Sequence, residues 1–294
     1  MEKHTDKRKK VIALGFFDGI HLGHQALLRR AVERAQEQDM TPAVFTFDRS
    51  PKEFVTGVPV PLLTTAESRR EVVRSLFPIE DVIIVPFDRE MMTMAWEDFL
   101  RMLVQTYQAG WVVAGHDYRF GYRHLGTPAL LEEWAPRLGL GCDVIPAVTL
   151  DGITVSSTHI RLLLEQGDVE NANRFLGYLF TVFGRMENDP VSQPGSPLLR
   201  LSPPAQQLVP ARGVYLIRVE AEGGSIPAAA AVTEPSGGAA LEIRPLGPSA
   251  RLPGQTCRLR FLKRLYALDQ DFDPAGLPGV LERAAGEAEV QGLF

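Results

Sequence analysis

Short apolar runs alternate with amphipathic stretches along the first 180 residues. Val11–Leu14 is an apolar run of buried-strand type. Behind it Ala26, Leu27, Leu28, Ala31, Val32 and Ala35 recur at helical spacing, with Arg29, Arg30, Glu33 and Arg34 on the other face. Ala43–Phe47 reads as a second strand, Ala66–Leu76 as a helix rich in arginine (Arg69, Arg70, Arg74), and Val82–Val85 as a strand stopped by Pro86. Ala95–Tyr107 is helical, its apolar side carrying Trp96, Phe99, Leu100, Leu103 and Val104, and Trp111–Ala114 is a strand. Thr127 is an N-cap with Pro128 at the first helical position, which predicts a helix ending near Gly139. Cys142–Ile145 is the next strand. Strands that recur about every 30 residues between helices predict βαβ units, and so a doubly wound α/β fold on a parallel sheet. Two more helices follow, one from Ser156 to near Gly167, the other capped by Asp168 and stopped by Gly177.

Beyond Gly177 the pattern changes. Thirteen of the 22 prolines lie there, and helical periods vanish until Pro274. Arg212–Val219, Ala228–Val232, Leu241–Ile243 and Cys257–Leu262 read as short strands, and Leu277–Glu289 as a closing helix. At 294 residues, one or two domains are expected. A net charge of −5 argues against a nucleic-acid partner held by phosphate attraction. The 45% hydrophobic and 23% charged residues are ordinary for a globular chain. Cys142 and Cys257 are far apart, without a CxxC motif, and read as reduced and structural, which fits a cytoplasmic setting. Lys7–Lys10 reads as a solvated basic tail, because Gly15, Asp18 and His21 interrupt any secretory apolar core. No apolar segment is long enough for a membrane span. Oligomeric state is not legible.

Three loops carry candidate chemistry. In the first, Gly15, Phe17, Asp18, Gly19 and Gly23 lead from a strand into a helix that starts with His21 and His24. Glycines let a phosphate chain approach the backbone, and a helix N-terminus welcomes an anion. Imidazoles at i and i+3 share a face and can donate to the same phosphates. In the second, Gly115–Gly121 follows a strand and combines Asp117, Tyr118, Arg119 and Phe120. Its aromatics could line a flat ring, or simply fold inward. In the third, Ser156, Ser157 and Thr158 start a helix and Arg161 lies one turn in, a second anion cradle or an ordinary cap with a solvated arginine.

Gly-x-Phe-Asp-Gly-x-His-x-Gly-His over 15–24, with the 115–121 loop and Val155-Ser-Ser-Thr-His-Ile-Arg161, resembles the prokaryotic bifunctional FAD synthetase family (riboflavin kinase/FMN adenylyltransferase). The resemblance implies a nucleotidylyltransferase domain over 1–180 and a small β-barrel, riboflavin-kinase-like domain over 181–294. It implies a transferase that joins ATP and FMN into FAD, with Mg2+ on the ATP. His21, His24 and Arg161 would be catalytic. Gly15, Phe17, Asp18, Gly19, Gly23, Ser157 and Thr158 would bind nucleotide, and Asp117, Tyr118 and Phe120 would bind flavin. Residues that hold the metal are not identified.

Two departures stand out. The family's Phe-x-Pro-His-Pro segment is here Phe47-Asp-Arg-Ser-Pro51, without the histidine and the first proline. The kinase motif Gly-Phe-Pro-Thr-Ala-Asn has no counterpart, since no threonine lies between Gly184 and Gly213. Gly213-Val-Tyr215 does match, and Glu242 stands near the place of the family's catalytic glutamate. A hard-cation site needs oxygen ligands in fixed places, so kinase activity is expected to be absent or weak. Other readings are an adenylyl- or cytidylyltransferase for another small phosphate, a non-catalytic flavin-binding protein, and a zinc site at His21 and His24. The last lacks third and fourth ligands at a recognised spacing.

Overall fold

The computed structural model describes residues 9–188, 198–222, 224–233, 241–246, 254–269 and 276–290. They fall into two compact units, one of residues up to 60 with 64–155, the other of 61–63 with those from 156 onward.

The first unit is built on β1 (Lys10–Leu14), α1 (Leu22–Glu37), β2 (Thr41–Phe47), α2 (Pro51–Thr56), α3 (Ala66–Leu76), β3 (Asp81–Val85), α4 (Arg89–Thr93), α5 (Trp96–Gln105), β4 (Ala109–Gly115), α6 (Pro128–Trp134) and β5 (Gly141–Ile145). The five strands are all parallel, in the order β3-β2-β1-β4-β5. β1 is central and buried on both faces, which is why its sequence is a continuous apolar run. One face packs Ile12, Leu14, Phe45 and Val112 against Phe99, Leu100 and Leu103 of α5. On α1, Leu27, Leu28, Ala31 and Ala35 are buried, and this helix packs on β1, β2 and β4. Order reverses beside β1, so the loops after β1 and β4 leave the sheet at its carboxyl edge, where such sheets bind ligands.

Lys10 does not belong to a solvated tail. It opens β1 and pairs with Asp81 at 2.6 Å, while Lys7 and Arg8 lie outside the described residues. Helices α2 and α4 were not foreseen. They bury no residue, so they leave no apolar period, and only the caps Ser50 and Asp88 announce them. Past α6 the chain tightens into a 3-10 turn over Ala135–Leu138 and ends at Gly139, at φ 63°, where the glycine was expected to stop it. β6 (Thr149–Leu150) and β7 (Ile153–Thr154) form a small hairpin.

A charged clasp fixes α1 to the sheet. The Asp143 carboxylate receives Arg34 Nε and Nη2 at 3.0 and 2.9 Å, Arg30 Nε at 3.0 Å and Trp111 Nε1 at 3.1 Å. Arg34 also covers the Trp111 ring at 4.2 Å. Gly141 is obligatory here, since an added Cβ would stand 2.1 Å from that ring.

The second unit opens with α7 (Ser157–Glu165) and α8 (Val169–Leu176). A closed antiparallel barrel follows, made of β8 (Thr181–Asn188), β9 (Leu199–Ser202), β10 (Gly213–Ala221), β11 (Gly224–Val232), β12 (Leu241–Pro245) and β13 (Thr256–Ala267). Its strand order is β10-β11-β12-β9-β8-β13. Closure removes exposed sheet edges. Strands β8 and β9 were not expected. Gly184 interrupts the β8 pattern because an added Cβ would lie 2.5 Å from Leu201 of β9. Helix α9 (Leu277–Val290) sets Leu277, Leu281 and Ala284 on Val214, Ala229 and Ala231, the small β11 residues letting it lie close.

The α7–α8 pair is fastened to the barrel from several sides. Asn173 donates to the Phe261 carbonyl at 2.9 Å and accepts from the Phe180 amide at 2.6 Å. The Ala211 amide donates to the Leu164 carbonyl at 2.9 Å. Arg264 donates to the carbonyls of Gln166 and Arg212. Leu62 pairs with the barrel segment at Gln206 and Leu208, through two backbone hydrogen bonds of 2.8 Å.

Candidate active site

The loop from β1 to α1 is bent and buried. Phe17, Gly19 and Ile20 all take left-handed conformations, at φ 55°, 85° and 40°. For glycine this is free, but for Phe17 and Ile20 it is strained, and strain of this kind collects at functional sites. Packing compensates it, as both side chains are fully buried. Gly15 makes room for Phe17, since an added Cβ would touch the ring at 3.0 Å. Gln25 Nε2 donates to the Ile20 carbonyl at 2.9 Å and fixes the exit.

Asp18 is turned inward. Its Oδ1 accepts from the Thr64 amide and hydroxyl at 2.9 and 3.3 Å, and Thr64 Oγ1 accepts from the Gly19 amide at 2.9 Å. The Gly19 amide, expected to face phosphate, is therefore spent on Thr64. Thr64 lies 46 positions from Asp18, and no local sequence signal links them.

His21 is the N-cap of α1. Its Nδ1 accepts from the His24 amide at 3.3 Å, a part usually played by Ser, Thr, Asp or Asn. That bond makes Nδ1 the acceptor, so a neutral His21 carries its proton on Nε2. His24 stacks on it, with centroids 3.6 Å apart and planes at 15°. The two imidazoles thus share one face, as their spacing predicts. His24 Nδ1 is buried without a hydrogen-bond partner. Burial first, then His21 and then Arg69, hold His24 well below the ordinary 6.5. Leu22 and Gly23 are the first helical residues, and their amides have no intrahelical acceptor.

Beyond β4, Asp117 is exposed and Tyr118 is half-buried. Burial pushes the Tyr118 hydroxyl far up, so it is a donor at any working pH. Phe120 stacks beside Tyr118 at 5.7 Å but is 5% exposed and packed on Phe99, so this aromatic does fold inward. His116 and His124 are exposed.

In the second unit, Ser156 caps α7 by accepting from the His159 amide at 3.2 Å. Ser157 and Thr158 are its first helical residues, half-buried and exposed respectively. Arg161 Nε donates to the Pro61 carbonyl at 2.9 Å. His159 is turned onto Phe175 of α8, 4.7 Å between ring centroids, which is a packing role. The structure thus brings Gly15 to His24 together in one unit and Ser157, Thr158 and Arg161 together in the other. Among the described residues no three His, Cys, Asp or Glu side chains converge as a metal site, and no helix is long and apolar enough to cross a membrane.

Residues 3–159 match the family model for FAD synthetase. A bifunctional riboflavin kinase/FMN adenylyltransferase of Pseudomonas fluorescens is 31% identical over 228 residues, 76% of this chain and 73% of the relative. The protein of the same description from Listeria monocytogenes is 30% identical over 218 residues, 73% and 69% of the two chains. A solved structure described as a macrolide-efflux protein from Streptococcus pneumoniae superposes with a TM-score of 0.82 at 25% identity, over 96% of this chain and 94% of that one.

Proposed function

The chain belongs to the FAD synthetase family, and from that membership we infer that it transfers AMP from ATP to FMN, giving FAD and pyrophosphate. The observation that carries the reading is the pair of stacked imidazoles at the start of α1, behind a buried glycine loop. A phosphate monoester is mostly dianionic at neutral pH, with a second pKa of about 6. The FMN phosphate oxygen can therefore attack the ATP α-phosphorus without a general base. What remains is alignment of the partners and neutralisation of charge on the α-phosphate and the leaving pyrophosphate.

His21 Nε2, His24 and the amides of Leu22 and Gly23 are suited to that work. Ser157, Thr158 and Arg161 supply a second set of donors for the phosphates. Asp117 and Tyr118 are the flavin-side contacts, and Phe120 supports them from the core. Magnesium bound to ATP oxygens supplies further neutralisation, and it needs few protein ligands. The adenylyltransferase residues span 1–180, and riboflavin kinase activity in the barrel over 181–294 is absent or very weak. The setting is the cytoplasm, in keeping with two free cysteines.

The test is incubation of the protein with ATP-Mg and FMN, read by chromatography. FAD and pyrophosphate are the expected products. Absence of FAD, with pyrophosphate released from another phosphate acceptor, would overturn the flavin assignment.

A further inference from the structure

Arg69 of α3 has no part in the reaction above, yet it is the largest fully buried side chain among the described residues. A buried guanidinium is costly unless its donors are used. Here Nη1 donates to Thr46 Oγ1 and to the Phe47 carbonyl, both at 2.8 Å, and Nη2 donates to the Thr64 carbonyl at 3.3 Å. The Phe16 ring covers the cation at 4.4 Å. These contacts lead by two routes into the β1–α1 loop. The Thr46 hydroxyl in turn donates a hydrogen bond to the Phe16 carbonyl at 2.7 Å. Thr64 holds Asp18 Oδ1 through its amide at 2.9 Å and receives the Gly19 amide at 2.9 Å.

We propose that Arg69 is a positioning residue of the adenylyl-transfer site, a buried cation whose hydrogen bonds to Thr46, Phe47 and Thr64 hold the loop with left-handed Phe17, Gly19 and Ile20 in its course ahead of His21 and His24. This rests on the FMN adenylyltransferase reading. Shape alone does not account for the residue, because a neutral side chain could fill the space without the cost of a buried charge. Asp18 in the loop, Glu67 on the same helix and Asp48 after β2 stabilise the charge, while burial brings the guanidinium down to about 10. It is still protonated at neutral pH. Burial first, then the stacked His21 and last the Arg69 charge hold His24 below its ordinary value, so the cation that fixes the loop also weighs on the imidazole.

The experiment uses the full chain with Arg69→Met and Arg69→Lys. FAD formation from FMN gives kcat and KM for ATP, and NMR follows the titration of the His24 ring without nucleotide. Arg69→Met should lower kcat roughly tenfold to a hundredfold, as expected for a misplaced reacting group. It should also move the His24 titration upward by a small step, because burial and His21 remain. Arg69→Lys should lower kcat while the His24 titration stays low, since an ammonium keeps the charge but cannot span the three acceptors. An Arg69→Met or Arg69→Lys protein that folds and keeps full kcat overturns the proposal. Should Arg69→Met fail to fold, the lysine variant decides alone. If the unaltered protein makes no FAD, the functional reading fails, while the His21 and His24 ring signals of the lysine variant still report whether the loop has moved.

Discussion

His24 couples the candidate site to pH. Its folded value is depressed by burial, His21 and Arg69, so below the ordinary 6.5 the unfolded chain binds a proton that the folded chain refuses. Stability then falls as pH falls through that window. Without nucleotide, thermal unfolding should shift downward as pH falls below about 6.5, and His24→Ala should flatten the decline. An equally steep decline in the variant would assign it to another group. For turnover, His24→Ala and Arg161→Ala should each lower kcat about a hundredfold, the usual loss of a preorganised donor to developing charge. Near-normal turnover in both would reduce them to a packing imidazole and a surface arginine. His21 carries two duties that can be separated. His21→Asn keeps a capping oxygen for the His24 amide, so stability should hold within about 1 kcal/mol, while its shorter amide does not reach where Nε2 stands and kcat falls.

At the scale of elements, the Asp143 clasp decides how α1 lies on the sheet. Burial alone would raise the carboxyl, but the hydrogen bonds from Arg34 and Arg30 outweigh it and hold the group below its ordinary 3.8. The stabilisation is fully present above that ordinary value and is lost as pH falls through the lowered folded one. Asp143→Asn should cost about 1–3 kcal/mol, the range for hydrogen bonds to charged groups, read as a lower urea midpoint with an unchanged slope. Gly141→Ala should cost at least as much, roughly 1–3 kcal/mol from overpacking, because Trp111 is pinned by Asp143 and Arg34 and cannot yield. The parallel strands were legible because burial on both faces writes an unbroken apolar run. Helices α2 and α4 were not, because nothing in them is buried. Among the site residues, the histidine pair was legible from its spacing. The supports Thr64 and Arg69 were not, because they act on segments far along the chain. One signal for Arg69 did exist, since it shares a helix face with the buried Val72 and Val73 at i+3 and i+4.

For the whole molecule, the open matter is the barrel. Riboflavin with ATP-Mg should yield neither FMN nor FAD, since Mg-ATP must be held before any base is useful. Glu242 of β12 lies opposite Arg200 of β9 and pairs with it at 3.6 Å. Robust conversion of riboflavin would show that other barrel residues hold the nucleotide. A barrel that performed no chemistry of its own would still have a reason to persist. Ser157, Thr158 and Arg161 lie on α7, and the bonds that steady the α7–α8 pair come from residues encoded far downstream, Ala211, Phe261 and Arg264. A gene shortened behind the codon for residue 180 would keep the phosphate motif and discard its scaffolding. Selection for FAD synthesis alone therefore guards the reading frame of the barrel. Substitutions that removed kinase chemistry would leave that support intact, whereas loss of the strands would not.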